Sequence, residues 1–292
     1  LVLLKNQTMR LYLFVLPFIL LLCTKKKDFK PDEPVVSNEA QILKNIAYEK
    51  DKFQKMDVYL PANRSTASTK AMILIHGGFW IEGDKDDQDA APMVDSIRKR
   101  LPDWAIFNLN YRLAPFNKFP DQENDINLAI KYIFDRKDKF VISDKWVLAG
   151  VDAGAHLAML QGYKYNQPIK PKAVINFFGP ADLVELCKVD AETAYFLSVI
   201  LNGTPNENPK LYSSSSPINF VTAQSPPTII LQGGLDDTNP KEQAFALKDK
   251  LQNFNVKNEL VFYPNEYHGW SSEATLINSL DKVMAFLKAN VP

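Results

Sequence analysis

Residues 150–156 read Gly-Val-Asp-Ala-Gly-Ala-His. The pattern sits between an apolar stretch ending at Gly150 and a helical stretch from Ala153 to Tyr165. Small residues two positions either side of a polar one are the layout of a nucleophile elbow, a sharp strand-to-helix turn that lifts one side chain above a sheet. The tip of such an elbow usually carries serine; here it carries Asp152. A hydroxyl there attacks a carbonyl once a histidine takes its proton. A carboxylate has no proton to give, and the dipole at the helix N-terminus favours its ionised form. Its attack on an ester would give a mixed anhydride, an uphill product. Its attack on saturated carbon would give an alkyl ester, which water can then cleave.

A second motif, His76-Gly77-Gly78-Phe79-Trp80, follows the first long apolar stretch. Adjacent glycines at a strand end let backbone N–H groups turn toward a small anionic oxygen. Gly77 and Gly78, with the N–H of Ala153 just past the elbow, are therefore candidate oxyanion donors. Phe79 and Trp80 are candidates for a substrate pocket, or for simple packing.

Of the three histidines, His76 belongs to that glycine loop and His156 lies one turn past Asp152. Only His268, in Tyr267-His268-Gly269-Trp270, comes late and in a loop after a strand. It is the candidate base. The orienting acid is expected after the preceding strand, in Gln232-Gly233-Gly234-Leu235-Asp236-Asp237-Thr238-Asn239-Pro240. Asp236 and Asp237 are both available, and one of them could instead cap the helix that starts near Pro240. Asp236 is chosen.

These loops need a scaffold. From about residue 40 strands and helices alternate. Strands are expected at 42–48, 55–60, 71–76, 104–109, 146–149, 173–178, 228–232 and 259–263. Helices are expected at 89–100, 122–135, 153–165, 241–253 and 273–289. Continuous apolar strands between amphipathic helices imply an α/β fold, a mostly parallel sheet covered on both faces, with the site at the strands' carboxyl ends. Residues 181–220 break the rhythm and read as a lid-like excursion containing a short apolar run, Tyr195–Leu201.

The chain has 292 residues, 46% hydrophobic and 23% charged, with 34 basic and 34 acidic side chains. Neutral balance gives no sign of a nucleic-acid partner. Two cysteines, Cys23 and Cys187, build neither a disulfide framework nor a thiolate metal cluster, and no histidine pair has metal-ligand spacing. No cofactor or metal is expected. Near the N-terminus, Lys5 and Arg10 precede a 12-residue apolar run, Leu11–Leu22, followed by Cys23. The run is short for a spanning helix and suits an export signal. The expectation is a leader over residues 1–23 of bacterial lipoprotein type with Cys23 lipidated, a tether over 24–39 and a folded domain over 40–292. Leu22 before the cysteine and the Lys25–Lys27 run depart from that pattern, and an uncleaved anchor is the alternative. The membrane is expected to be met only through this anchor, at the periplasmic or outer face. Oligomeric state is not readable.

Taken together, His76–Trp80, Asn110–Pro115, Gly150–His156, the Gly233–Pro240 loop and His268-Gly269 resemble the α/β-hydrolase superfamily. The nearest branch is that of esterases and lipases, including hormone-sensitive-lipase-like, feruloyl-esterase-like and kynurenine-formamidase-like enzymes. The resemblance spans most of residues 40–292. It implies a triad at Asp152, Asp236 and His268, acting on small-molecule esters or other acylated substrates. The departure is Asp152 itself, which leaves three readings. The scaffold is an esterase whose serine has been replaced; or Asp152 is a nucleophile toward an epoxide or alkyl halide; or the chain is a binding pseudoenzyme. For the second reading Tyr195 and Tyr212 are the candidate lid tyrosines.

Overall fold

The computed structural model describes residues 37–87 and 91–292. The apolar run, Cys23 and all but the last residues of the expected tether lie outside them. Eight strands form one sheet: β1 (Gln41–Ala47), β2 (Lys55–Leu60), β3 (Ala71–Ile75), β4 (Ala105–Leu109), β5 (Trp146–Val151), β6 (Ala173–Phe177), β7 (Thr228–Gly233) and β8 (Asn258–Tyr263). Their spatial order is β1-β2-β4-β3-β5-β6-β7-β8. β2 runs antiparallel to both neighbours, and from β4 to β8 every pairing is parallel. The exchange of β3 and β4 puts β3 beside β5, so the loop after β3 meets the elbow after β5.

Nine helices connect and cover the sheet: α1 (Ala91–Arg100), α2 (Asp121–Asp135), α3 (Lys137–Phe140), α4 (Ala153–Lys164), α5 (Leu183–Leu186), α6 (Ala191–Ile200), α7 (Pro209–Ser214), α8 (Lys241–Asn253) and α9 (Glu273–Asn290), counted among the described residues. One face packs under α2, α4 and α8 through Ile126, Ile133, Leu157, Met159 and Leu247. The other packs under α1 and α9 through Val94, Ile97, Leu280, Val283 and Phe286. β3, β4 and β6 are buried at every position, as strands covered on both faces must be. β8, at the sheet edge, is half-buried or exposed at every position. Each fully buried Leu, Ile, Phe or Met contributes roughly 1.5–3 kcal/mol, so the stability resides mainly in these two layers.

The expected eight strands all form, with ends shifted by one or two residues. Arg112 is structural: its guanidinium grips Asp125 at 2.7 Å and 2.9 Å, and Gln54 donates to the same fully buried carboxylate. The excursion between β6 and β7 is helical, folding as α5, α6, α7 and a short 3-10 turn, Pro217–Phe220. Its base is closed. Gln243 on α8 accepts from the Ala181 and Asp182 N–H groups at 2.9 Å and 2.8 Å and donates to the Asp182 carbonyl at 3.0 Å. The returning chain meets the same point, where the Ile218 N–H donates to the Ala181 carbonyl at 3.1 Å.

Candidate active site

The elbow forms at the end of β5. Asp152 has φ 49° and ψ −119°, a left-handed conformation that a non-glycine residue adopts only when its surroundings enforce it. Those surroundings are visible. The Asp152 N–H donates to the Phe177 carbonyl at 3.0 Å, continuing the sheet, while its carbonyl accepts from the His156 N–H at 3.0 Å, starting α4. A Cβ on Gly150 would lie 2.3 Å from the Gly154 backbone, and one on Gly154 would lie 2.2 Å from the Ile75 carbonyl oxygen. Glycine at these two positions lets β5, α4 and β3 close together.

The Asp152 carboxylate is nearly buried and held on both sides. Oδ2 accepts from the Gly78 N–H at 3.1 Å and the Phe79 N–H at 3.0 Å. Oδ1 accepts from the Asn239 side-chain Nδ2 at 2.7 Å. The side chain of the elbow residue thus sits against a pair of backbone donors from the glycine loop.

In the glycine loop, Gly77 lines the same cavity as Asp152. Gly77 faces Tyr111 and His76 with its carbonyl, which accepts from the Tyr111 hydroxyl at 3.1 Å and from His76 Nδ1 at 2.7 Å. The donors that reach Asp152 are those of Gly78 and Phe79. Gly78 has φ 97° and its Cβ position falls 2.2 Å from the Glu82 carbonyl oxygen, so no other residue fits that turn. Of the two roles open to Trp80, pocket or packing, its burial shows packing. It is fully buried, with its ring edge-on to Phe119 and to His156 at 6.1 Å and 4.9 Å. Its φ of 61° turns the chain so that the indole enters the core. Phe79 remains at a surface, lining a cleft of about 500 Å³ with Phe196, Glu82, Asp190 and Asp237.

His268 lies in the loop after β8, and its Nδ1 meets Asp236 Oδ2 at 3.0 Å. Asp237 is exposed. The Asp236 carboxylate is further fixed by the Thr238 and Asn239 N–H groups at 3.1 Å and 2.8 Å and by Gln232 Nε2 at 3.2 Å. With an acceptor at Nδ1, the imidazole carries its proton there and leaves Nε2 as the basic atom. Burial alone would lower the His268 pKa, but the hydrogen bond to Asp236 and the charges of Asp152, Asp236 and Asp237 outweigh it, so the net direction is upward. Phe178 packs edge-on against the ring at 4.6 Å.

The other two histidines are spoken for. His156 is fully buried and donates from Nε2 to the Ser215 carbonyl at 2.6 Å; burial depresses its pKa to about 4, so it stays neutral. His76 stacks on Tyr111 at 4.4 Å, and burial likewise lowers its pKa. Neither expected lid tyrosine reaches the site: Tyr212 is buried against Cys187, and Tyr195 is exposed on α6.

Asp152 and His268 open onto one cavity of about 290 Å³, lined mainly by apolar side chains including Met93, Val94, Val151, Phe177, Trp270 and Leu276. Among the described residues no group of three or more His, Cys, Asp or Glu is arranged to hold a metal ion. Asn239 and Phe178 escaped the sequence reading. An Asn before Pro reads as a turn residue, and Phe178 as the end of a strand.

The strand order, the elbow after β5, the glycine loop after β3 and the acid and histidine after β7 and β8 define an α/β-hydrolase of the esterase/lipase branch. The chain belongs to the BD-FAE family, whose model matches residues 56–251. Among curated relatives it is 27% identical over 225 residues to Esterase LipC of Mycobacterium tuberculosis, covering 72% of this chain and 55% of that one. It is 24% identical over 246 residues to Isoprenylcysteine alpha-carbonyl methylesterase ICME of Arabidopsis thaliana, covering 78% of this chain and 56% of that one. The chain therefore spans about half the length of the curated relatives it matches. Among solved structures, a truncated form of a carbohydrate esterase from gut microbiota superposes with TM-score 0.73 at 23% identity, covering 88% of this chain and 99% of the other. Esterase B from Lactobacillus rhamnosis superposes with TM-score 0.68 at 20% identity, covering 87% of each.

Proposed function

We propose that this chain is a hydrolase of carboxylic esters or related acyl bonds in small molecules, with Asp152 at the nucleophile position restraining turnover by the serine route. One observation carries the reading: a histidine oriented by Asp236, and two backbone N–H donors, meet around residue 152 beside an apolar cavity. His268 Nε2 is the general base, and Gly78, Phe79 and Ala153 N–H groups are the oxyanion donors. The cavity receives the acyl side, and the cleft beside Phe79 receives the leaving group. In the native chain the Asp152 carboxylate fills the donor pair and has no proton for His268 to accept. Native and Asp152→Ser proteins are to be assayed side by side with p-nitrophenyl acetate and butyrate. The serine form is expected to be faster by roughly a hundredfold or more, the scale of oxyanion stabilisation. A folded Asp152→Ser protein without ester hydrolysis overturns the proposal.

A second reading is favoured by the unequal setting of the two Asp152 oxygens. If Oδ1 attacks a saturated carbon, a C–O bond forms and the carbon–leaving-group bond breaks, its electron pair departing with the halide or opened epoxide oxygen. Oδ2 becomes the ester carbonyl oxygen, already placed in the Gly78–Phe79 donor pair. Water deprotonated by His268 then attacks Cγ, and the ester cleaves to alcohol and Asp152. A panel of epoxides and alkyl halides, read by mass spectrometry of the peptide bearing Asp152, tests it; an unmodified peptide throughout eliminates it.

The leader over residues 1–23 and lipidation at Cys23 are also proposed, supported by the short apolar run before the cysteine. Loss of the protein from the membrane fraction on Cys23→Ala checks this.

A further inference from the structure

Asn239 lies three residues beyond Asp236 and is fully buried. Its Nδ2 donates to Asp152 Oδ1 at 2.7 Å and to the Phe178 carbonyl at 3.0 Å. Its own Oδ1 has no partner. A buried amide oxygen without a donor is unfavourable, so the side chain is justified by what its Nδ2 donates to. The amide orientation is settled by its neighbours. Turned over, its oxygen would face a carboxylate and a carbonyl, both acceptors.

The loop does not need this side chain to keep its shape. The Asn239 N–H is taken by Asp236 Oδ1 at 2.8 Å, and its carbonyl accepts from Gln232 Nε2 at 2.9 Å. What the amide adds is one N–H to the Phe178 carbonyl, which any residue at 152 would leave in place, and one N–H aimed at the elbow residue. Serine at 152 would end one atom short of the carboxylate oxygens, and the N–H would lose its anionic acceptor. Charge-assisted hydrogen bonds are about twice as strong as neutral ones, so an anion at 152 is what makes this buried amide favourable.

We propose that Asn239 is a positioning residue matched to the carboxylate of Asp152: it holds Oδ1 from one side while the Gly78 and Phe79 N–H groups hold Oδ2 from the other, so the elbow is built to carry an anion and not a hydroxyl. This rests on residue 152 being the reacting position. It adds that residues 152 and 239 work as a pair. The three donors fix the carboxylate plane and make its two oxygens unequal, with one donor on Oδ1 and two on Oδ2.

The test uses four forms of the full chain: native, Asn239→Val, Asp152→Ser, and the double variant. Thermal midpoints are measured first. Asn239→Val is expected to lower the midpoint of the native chain by several degrees, because it strips a donor from a buried charge. In the Asp152→Ser chain the same change is expected to lower the midpoint by clearly less, because there only the bond to the Phe178 carbonyl is lost. Equal shifts in the two backgrounds overturn the proposal. The second readout is the antisymmetric carboxylate stretch of Asp152, isolated as the infrared difference between the native and Asn239→Val chains and their respective Asp152→Asn counterparts. Loss of the Asn239 donor is expected to move this band; an unmoved band overturns the proposal. If Asn239→Val does not fold, Asn239→Ser, which is too short to reach Asp152, takes its place in both measurements. Neither readout depends on turnover. An inactive Asp152→Ser chain would sink the ester-hydrolase reading and leave the pairing standing, while additive shifts would do the reverse.

Discussion

The backbone N–H of Asn239 donates to Asp236 Oδ1 at 2.8 Å, while the same Asp236 holds His268 through Oδ2. The Asn239 side chain holds Asp152. One loop after β7 therefore orients both the imidazole and the elbow carboxylate, and Gln232 Nε2 ties its two ends by bonding Asp236 and the Asn239 carbonyl. Displacing this loop should disturb both arms of the site together.

Asp236 sets the imidazole tautomer. In an Asp152→Ser background, Asp236→Asn is expected to lower kcat for aryl esters by roughly 10³–10⁴-fold with KM little changed, as expected for a group acting mainly in the transition state. A loss below tenfold would show that His268 is oriented by something else.

The raised pKa of His268 links it to stability. The folded chain binds this proton more tightly than the unfolded one, so the stabilisation is complete below the ordinary value near 6.5 and is lost as pH climbs through the higher folded value. The thermal midpoint of the native chain is expected to fall across that alkaline window. His268→Gln should flatten this part of the profile; an identical slope in the variant would refute the linkage.

His156 works in the opposite direction. Its folded pKa, depressed to about 4 by burial, means the unfolded chain takes up the proton first as pH drops below 6.5. Stability is expected to decline between pH 6.5 and about 4, by about 3 kcal/mol from this group. Denaturant melts of native and His156→Gln chains at pH 7 and pH 4.5 should differ in their acid loss, with the native chain losing more.

Gly154 is the point where α4 rides on β3. A methyl group there would sit 2.2 Å from the Ile75 carbonyl oxygen. Gly154→Ala is expected to lower the thermal midpoint by about 5 °C or more, since each kcal/mol corresponds to roughly 2–4 °C in a chain of this size. An unshifted midpoint would mean that the helix moves aside freely.

The elbow, the glycine loop and His268 were legible because their signals are local: paired glycines at apolar strand ends, and a histidine late in the chain. The eight strands were legible for a related reason, since strands buried on both faces are uninterrupted apolar runs. Asn239 was not legible. Nothing in its neighbours announces that its amide faces a residue 87 positions away. The sequence leaves Trp80 between pocket and packing, and its positive φ and full burial decide for packing. The Phe79 donor was hidden for a similar reason, because the turn at Gly78 decides which N–H groups converge. Helices α5 and α7 span only 4 and 6 residues, too short to display a period.

The excursion between β6 and β7 leaves and rejoins the body where Ala181 meets Gln243 and Ile218, and it is tied down again along its length, Ile200 accepting from the Phe119 N–H and Ser215 from His156. A module anchored at so many points cannot be exchanged without refitting the residues it rests on. Evolution could thus change what this protein accepts only by altering the cassette and its seat together.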